Sequence, residues 1–233
     1  MKILALDSST LTGSAAVVDG GAVLAESACR VRATHSEQLL PLVREVLARA
    51  ECPLDAIDRI AVGVGPGSFT GVRIGVATAK GLAVATGIPL FGVGSLDALA
   101  EAAWSMDHGV LVAAIDARRA ELYATAWRVV GGARAVLLPP CNERPEAVGA
   151  ALADVVRDGD AVWVVGDARE ADLEVVASAL PVPLRRGPAV CAAPLARYVA
   201  WAAMHGRGAL DDGHMEPRYV RGSDAKLPRG VAP

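Results

Sequence analysis

The spacing of apolar residues predicts strands and helices that follow one another in the same order in both halves of the chain. Each half reads as three strands, then helix, strand, helix, strand and helix. In the first half we expect strands at 3–6, 14–18, 22–31, 59–64 and 89–93, and helices at 36–51, 68–86 and from 95 onward. In the second half we expect strands at 110–115, 121–130, 135–138, 161–165 and near 182, and helices at 145–157, 170–180 and 194–204.

Matching turn residues support this repeat. An aspartate, Asp7 or Asp116, ends the first strand of each half, and the pairs Gly20-Gly21 and Gly131-Gly132 each fit a hairpin turn, since glycine accepts positive φ. The pattern therefore predicts an α/β fold built from a duplicated βββαβαβα unit. We place its two subdomains at residues 1–106 and 107–233.

The segment 63–75, GVGPGSFTGVRIG, joins a strand to the long helix at 68–86. Gly65-Pro66-Gly67 predicts a tight turn, and Ser68 is a suitable N-cap for the helix. Backbone N–H groups at such a helix start suit an anion. The alternative is a compact turn whose glycines allow close packing, and geometry alone favours it because neither GxGxxG nor GxxxxGK[ST] is present.

The composition and charge of the chain argue against several classes of protein. The chain is 53% hydrophobic and 21% charged, with 23 basic and 26 acidic residues and a net charge of −3, which argues against a surface dedicated to nucleic acid. Only four apolar residues separate Lys2 from Asp7, too few for a signal-peptide core, and the longest uncharged stretch is broken by glycine and proline. These observations predict a cytoplasmic protein without a membrane span.

Signals for catalysis and metal binding are weak. The histidines and cysteines show no HExxH, HxxxH or CxxC spacing, so we predict no metal site and no catalytic residues. These residues are His35, His108, His205, His214, Cys29, Cys52, Cys141 and Cys191. Ser8, Ser9 and Ser68 are explained as turn and cap residues.

Two helices carry more apolar surface than one sheet requires. The helix at 68–86 has only Arg73 and Lys80 as charged residues, and the helix at 36–51 has a broad apolar arc. Either both helices are sandwiched within the chain or they meet a partner. For the second case we predict contacts at Leu39, Leu42, Val43, Val46, Val76 and Ala79, with Arg73 and Lys80 at the rim.

The order of residues in Pro66–Gly75, PGSFTGVRIG, resembles the signature of the TsaB (YeaZ) family. Two further segments are similar to that family: 114–123, AIDARRAELY, and 216–221, EPRYVR. The resemblance implies an actin, sugar-kinase and Hsp70-like fold, in agreement with the duplicated unit.

In that superfamily the two halves normally bind ATP between them, and this sequence departs from the pattern there. Asp7-Ser8-Ser9-Thr10 lacks the usual glycine, and Asp116-Ala117-Arg118 has arginine in its place. We therefore expect a degenerate nucleotide cleft and no resident cofactor. The residues at which a nucleotide or anion contact is expected are Ser68, Thr70, Gly71 and Arg118.

By this resemblance the chain is a non-catalytic scaffold or dimerization subunit in the synthesis of N6-threonylcarbamoyladenosine in tRNA. The implied partners are the catalytic TsaD paralogue and the ATPase TsaE, with a homodimer in isolation and tRNA met only through the complex. The alternatives are an ATP-dependent kinase of the same superfamily and a peptidase, against which the missing phosphate glycines and the missing metal and nucleophile spacings argue.

Overall fold

The architecture comes from a computed structural model of the chain, which describes residues 1–30, 35–103, 106–187, 193, 195–211, 213–218 and 220. Cys191, Pro194, Tyr219 and Arg221 lie outside these ranges. The strands are β1 Lys2–Asp7, β2 Thr12–Asp19, β3 Ala22–Arg30, β4 Arg59–Gly63, β5 Leu90–Val93, β6 His108–Asp116, β7 Leu122–Val130, β8 Ala133–Glu143, β9 Val162–Val165, β10 Leu184–Arg186 and β11 Ala209–Leu210. The helices are α1 His35–Arg49, α2 Phe69–Thr86, α3 Ser95–Glu101, α4 Pro145–Ala153, α5 Glu170–Ser178 and α6 Ala196–Met204, with a short 3-10 helix at Leu54–Ala56.

The duplicated unit is confirmed by the sheet topology. The first sheet has the order β11-β5-β4-β1-β2-β3 and the second has β10-β9-β6-β7-β8. Apart from β11, the two orders are equivalent: an antiparallel meander of three strands followed by two strands parallel to the first. Parallel pairs need helical crossovers, which explains why helices alternate with strands in the later part of each unit.

Helices cover both faces of both sheets, and the last helix of each unit covers the other unit's sheet. In the first sheet, α1 and α2 pack on one face, where they share a core with Leu4, Leu6 and Val62. In the second sheet, α4 and α5 pack on one face. The opposite faces are covered by exchanged helices: α6 packs on Ile3 and Ala61 of the first sheet, whereas α3 packs on the second sheet.

The exchanged helices pack across the predicted boundary between the subdomains. The boundary between residues 106 and 107 stays a prediction, although Leu96 and Leu99 of α3 pack with Leu111 and Ile115 of β6 across it. A periodic pattern shows that a helix has an apolar face but not which sheet covers it. We therefore expect neither half to complete its core when cut at that boundary.

Two edge strands differ from the predicted ranges. β8 runs from Ala133 to Glu143 and includes Pro139 and Pro140, whereas the pattern indicated only 135–138. Proline is tolerated in β8 because this strand lies at the edge of its sheet, and its register shifts near Ala124 and Ala126 of β7. The strand predicted near Val182 is β10, which begins two residues later at Leu184.

Candidate functional site

A cleft of about 780 Å³ lies between the two units. One wall comes from the turn after β1 and from the start of α2. The other wall comes from the turn between β6 and β7 and from Asp167. Arg218, in the segment that follows β11, also borders the cleft.

Asp7, at the end of β1, is fully buried and does not line the cleft. Its Oδ1 accepts hydrogen bonds from the Ser9 backbone N–H at 3.0 Å and from Ser9 Oγ at 2.9 Å. Its Oδ2 has no hydrogen-bond partner among the described residues and lies against Gly63, where a Cβ would overlap it. The carboxyl group thus shapes the turn, as a strand-ending residue does, and does not present its oxygens to a ligand.

Burial raises the pKa of Asp7 to about 7, against the opposing hydrogen bonds from Ser9. The folded state thus favours the protonated carboxyl, so its contribution to stability is fully present below the ordinary pKa of 3.8 and is lost as the pH rises through about 7.

We expect Asp7→Asn, which is neutral at every pH, to gain stability relative to the unaltered chain as the pH rises from about 4 to about 7. The gain should be about 1.4 kcal/mol per pH unit in the free energy of unfolding. Urea denaturation across this range measures it. Asp55→Asn, which makes the same substitution at an exposed position, is the control. A pH-independent difference for Asp7→Asn would show that the carboxyl is ionised in the fold.

Asp116 sits at the equivalent position on the second unit and organises the β6–β7 turn. Its Oδ1 accepts a hydrogen bond from the Arg118 backbone N–H at 2.8 Å, and its own N–H donates to Asp167 Oδ1 at 3.2 Å. Arg118 Nη1 also lies 3.3 Å from Asp116 Oδ2. The turn that would present phosphate-binding amides in the superfamily is here closed on itself and bears an arginine side chain.

The glycines of the 63–75 segment are explained by close packing. A Cβ at Gly67 would overlap the Ser9 carbonyl oxygen, and one at Gly71 would overlap the Ser8 carbonyl oxygen. Hydrogen bonds also join these two segments of the chain. The Ser68 N–H donates to Ser9 O at 2.6 Å, and Ser8 Oγ donates to Gly71 O at 2.9 Å. The interpretation as a compact turn therefore accounts for these glycines.

The residues predicted to contact an anion are only partly brought together. Ser68, Thr70 and Arg118 line the cleft, whereas Gly71 is buried against the β1–β2 turn. Ser68 is the N-cap of α2, as predicted, since its Oγ accepts a hydrogen bond from the Gly71 N–H at 3.2 Å. Of the four residues, only Gly71 does not border the cleft, and the anion contact itself stays a prediction.

The structure changes which residues of α1 and α2 could meet a partner. Six of the eight residues predicted for this contact are buried within the chain, because they face the first sheet and each other: Leu39, Leu42, Val43, Val46, Val76 and Ala79. Arg73 is exposed and Lys80 is half-buried. Gly75 likewise faces inward, where a Cβ would lie 2.5 Å from Ser8 Oγ.

Both helices nevertheless expose apolar residues on the side away from the sheet. We call the set Leu40, Ala48, Phe69, Ala77 and Val84 the outer face; Val84 is 87% exposed and Phe69 is 55% exposed. On α2 these residues recur at spacings of seven and eight, so they share one side of the helix. This side lies opposite the buried positions of the helix, so the helical period of the sequence is the signal that indicates it.

The described residues contain neither a candidate metal site nor a candidate membrane-spanning helix. Within the described ranges, His, Cys, Asp and Glu side chains form no group of three or more that could hold a metal ion. Among the helices that the structure describes, none is long and apolar enough to cross a membrane.

Comparison with known proteins agrees with the resemblance. Residues 23–154, more than half of the chain, match the family described as TsaD: tRNA N6-adenosine threonylcarbamoyltransferase. The tRNA threonylcarbamoyladenosine biosynthesis protein TsaB of Escherichia coli is 42% identical over 124 residues, which are 53% of this chain and 53% of that protein. The chain thus spans about half the length of the curated relatives that it matches.

Solved structures extend the likeness along the chain. YeaZ from Pseudomonas aeruginosa is 30% identical, with a TM-score of 0.73, and the match covers 94% of this chain and 99% of that one. A ROK hexokinase from Thermus thermophilus, 17% identical with a TM-score of 0.53 over 88% of this chain and 100% of that one, shares the fold alone. The fold is therefore the α/β fold that the actin and sugar-kinase resemblance implied. On the family match and the YeaZ likeness together, this chain belongs to the TsaB (YeaZ) family.

Proposed function

We propose that this chain is a non-catalytic subunit that binds and supports a TsaD-type enzyme in the synthesis of threonylcarbamoyladenosine in tRNA. The observation that carries the proposal is the apolar outer face on the two helices, in a chain whose relatives are named for this biosynthesis. An ATPase of the TsaE type would join the complex, and a reaction on tRNA would take place in the cytoplasm.

The outer face has the features of a surface that packs against other helices. Ala48 and Ala77 of this face, and Gly81 one turn after Ala77 on α2, are small and exposed, so the backbone of a partner helix could approach closely. Leu40, Phe69 and Val84 are large and apolar and would lose contact with water on binding. Arg73 and Lys80 lie beside these residues and would contribute to the rim, where charges mainly steer association.

A groove next to α2 offers a place for a side chain of the partner. It has a volume of about 360 Å³ and lies between Arg73, Ala77 and Lys80 on the helix and Met215 and Pro217 in the C-terminal segment. Interface cores are commonly formed by a side chain that enters such a depression. We place the contact with the TsaD-type protein across the outer face and this groove.

The lack of catalysis is supported by the geometry of the cleft turns. Asp7 directs its carboxyl inward, and Asp116 is engaged with the backbone of its own turn. A phosphoryl-transfer site needs such carboxylates and amides directed at the ligand. In this chain the two aspartates instead accept hydrogen bonds from backbone N–H groups of their own turns.

Analytical ultracentrifugation of the chain alone and mixed with the TsaD-type protein of the same cell tests the partner. We expect a homodimer in isolation, which is replaced by a heterodimer when the TsaD-type protein is added. A chain that stays monomeric alone and sediments independently of that protein would contradict the proposal.

A further inference from the structure

A buried carboxylate lies where the two units of the chain meet. Glu101 is the last residue of α3, and its side chain is only 2% exposed. Arg134 Nη1 donates a hydrogen bond to Glu101 Oε1 at 2.9 Å, and Arg207 Nε lies 2.9 Å from the same oxygen. His205 Nδ1 lies 2.8 Å from Oε2. Both carboxylate oxygens therefore have the polar partners that a buried charge requires, and we call these four residues the Glu101 cluster.

The partners of Glu101 come from both units. Arg134 belongs to β8 of the second sheet, and α3, which carries Glu101, packs on that sheet. His205 and Arg207 follow α6, which packs on the first sheet. The bond between Glu101 and Arg134 thus stays on the side of the second sheet, whereas the contacts with His205 and Arg207 join that side to the first sheet.

The Glu101 cluster lies at the end of the two units that is remote from the cleft. Arg134 pairs with Val129 beside the β7–β8 turn, whereas Asp116, which borders the cleft, lies by the β6–β7 turn at the other end of β7. On the first unit, α6 ends near the β2–β3 turn, where Trp201 Nε1 donates to Gly21 O at 3.0 Å. A rotation of the units about this end would therefore change the width of the cleft.

Apolar packing alone does not fix how α3 and α6 lie against each other. The α3 side of this contact is formed by alanines: Ala98, and Ala102 just after the helix, share a core cluster with Val199, Ala202 and Ala203 of α6. Small side chains leave a smooth surface, and packed helices can slide along such a surface by small steps. Hydrogen bonds and ion pairs of defined geometry oppose this sliding, because a short displacement breaks them.

A second acidic residue extends the same arrangement along α3. Asp97 lies one turn before Glu101, and burial raises the pKa of its carboxyl group. Three arginines oppose that rise through their charges: Arg218, Arg207 and Arg134. Because Arg218 borders the cleft, the charges along α3 extend from the cleft to the Glu101 cluster.

We propose that the Glu101 cluster is a lock that holds the two units at one fixed angle and so keeps the cleft at one width. Apolar residues of similar volume often stabilise a fold as well as a buried ion pair does, but the ion pair can specify one arrangement over others. Without the contacts to His205 and Arg207, we expect α6 to slide against α3 and the cleft to open and close. The lock is a property of this chain alone and does not depend on the proposed function.

Double electron–electron resonance between spin labels on opposite sides of the cleft tests the lock. The labels are attached through non-natural amino acids at Leu11 of the first unit and Ala171 of the second, so that the native cysteines stay unaltered. Both positions are exposed. With the Glu101 cluster intact, the labelled chain should give one narrow distribution of distances.

Two variants break the contacts between the units. His205→Ala combined with Arg207→Ala removes both contacts and leaves the bond between Glu101 and Arg134 intact. Glu101→Gln removes the charge at the centre of the cluster and serves as the second variant in case the first does not fold. Each is expected to broaden the distribution of distances and to shift its mean, and circular dichroism confirms the fold.

Asp160→Asn is the matched control, because it weakens an ion pair that lies within the second unit. Asp160 accepts hydrogen bonds from Arg128 Nη1 at 2.8 Å and from Arg128 Nη2 at 3.0 Å. This variant should lower the free energy of unfolding but leave the distribution of distances unchanged. An unchanged distribution in the folded cluster variants, or equal broadening in Asp160→Asn, would overturn the lock without affecting the proposal about the partner.

Discussion

Replacing Gly71 with alanine is expected to lower the free energy of unfolding by about 3 kcal/mol, the upper part of the range for overpacked sites. The added methyl group would overlap the Ser8 carbonyl oxygen, which is backbone and cannot rotate away. Relief requires α2 to move from the β1–β2 turn, which would weaken the hydrogen bond from Ser8 Oγ to Gly71 O. Urea denaturation followed by circular dichroism measures the loss.

Gly81→Ala is the matched control, because it makes the same change in the same helix. No described atom lies within 4 Å of a Cβ at Gly81, so the variant should gain up to about 1 kcal/mol from the higher helix propensity of alanine. The two variants are thus expected to change stability in opposite directions. Equal and small effects would show that the helix start does not touch the turn as described.

Replacing Ala77 with glutamate is expected to weaken binding to the TsaD-type protein about 30-fold, or about 2 kcal/mol, while the chain stays folded. Ala77 is exposed on the outer face, so a charge there is compatible with the fold of a single chain but must be desolvated on binding. Titration calorimetry of the complex measures the affinity, and circular dichroism confirms the fold.

Two comparisons make this result specific. Val76→Glu changes the neighbouring residue, which is only 4% exposed, and should unfold the chain rather than affect binding alone. Leu24→Glu places the same charge on β3, at a residue 44% exposed and outside the outer face, and should leave affinity unchanged. A folded Ala77→Glu variant with the affinity of the unaltered chain would place the contact elsewhere.

The order of elements and the duplicated unit could be predicted from the sequence because they follow from local periodicity and turn residues. The paired glycines after Asp19 and in the β7–β8 turn lie at hairpins, as expected, with positive φ at Gly20, Gly21, Gly131 and Gly132. The exchange of α3 and α6 between the sheets could not be predicted. Leu99 of α3 packs on the second sheet and Ala202 of α6 packs on the first, although each lies on an apolar helix face that would fit either sheet.

Much of the candidate site could not be predicted from the sequence either, because a periodic pattern does not show what covers an apolar helix face. The sequence predicts broad apolar surfaces on α1 and α2, but the most apolar residues of these surfaces, such as Val46 and Val76, face the chain's own sheet. The apolar residues that stay exposed on these helices are mostly small. Hydrophobicity alone therefore does not mark them as the side that meets a partner. Sequence patterns do not bring Arg119 and Arg218 together, because they are far apart in the chain and share only the lining of the cleft.

Quantification of N6-threonylcarbamoyladenosine in tRNA, after reconstitution with the TsaD-type and TsaE-type proteins and a threonylcarbamoyl donor, tests the central claim most directly. Mass spectrometry of the digested tRNA is expected to show no modification by this chain alone and full modification only when chain and TsaD-type protein are both present. The Ala77→Glu variant should lower the yield in the complete mixture. Modification by this chain in the absence of the TsaD-type protein, or a yield that is the same with and without this chain, would contradict the account.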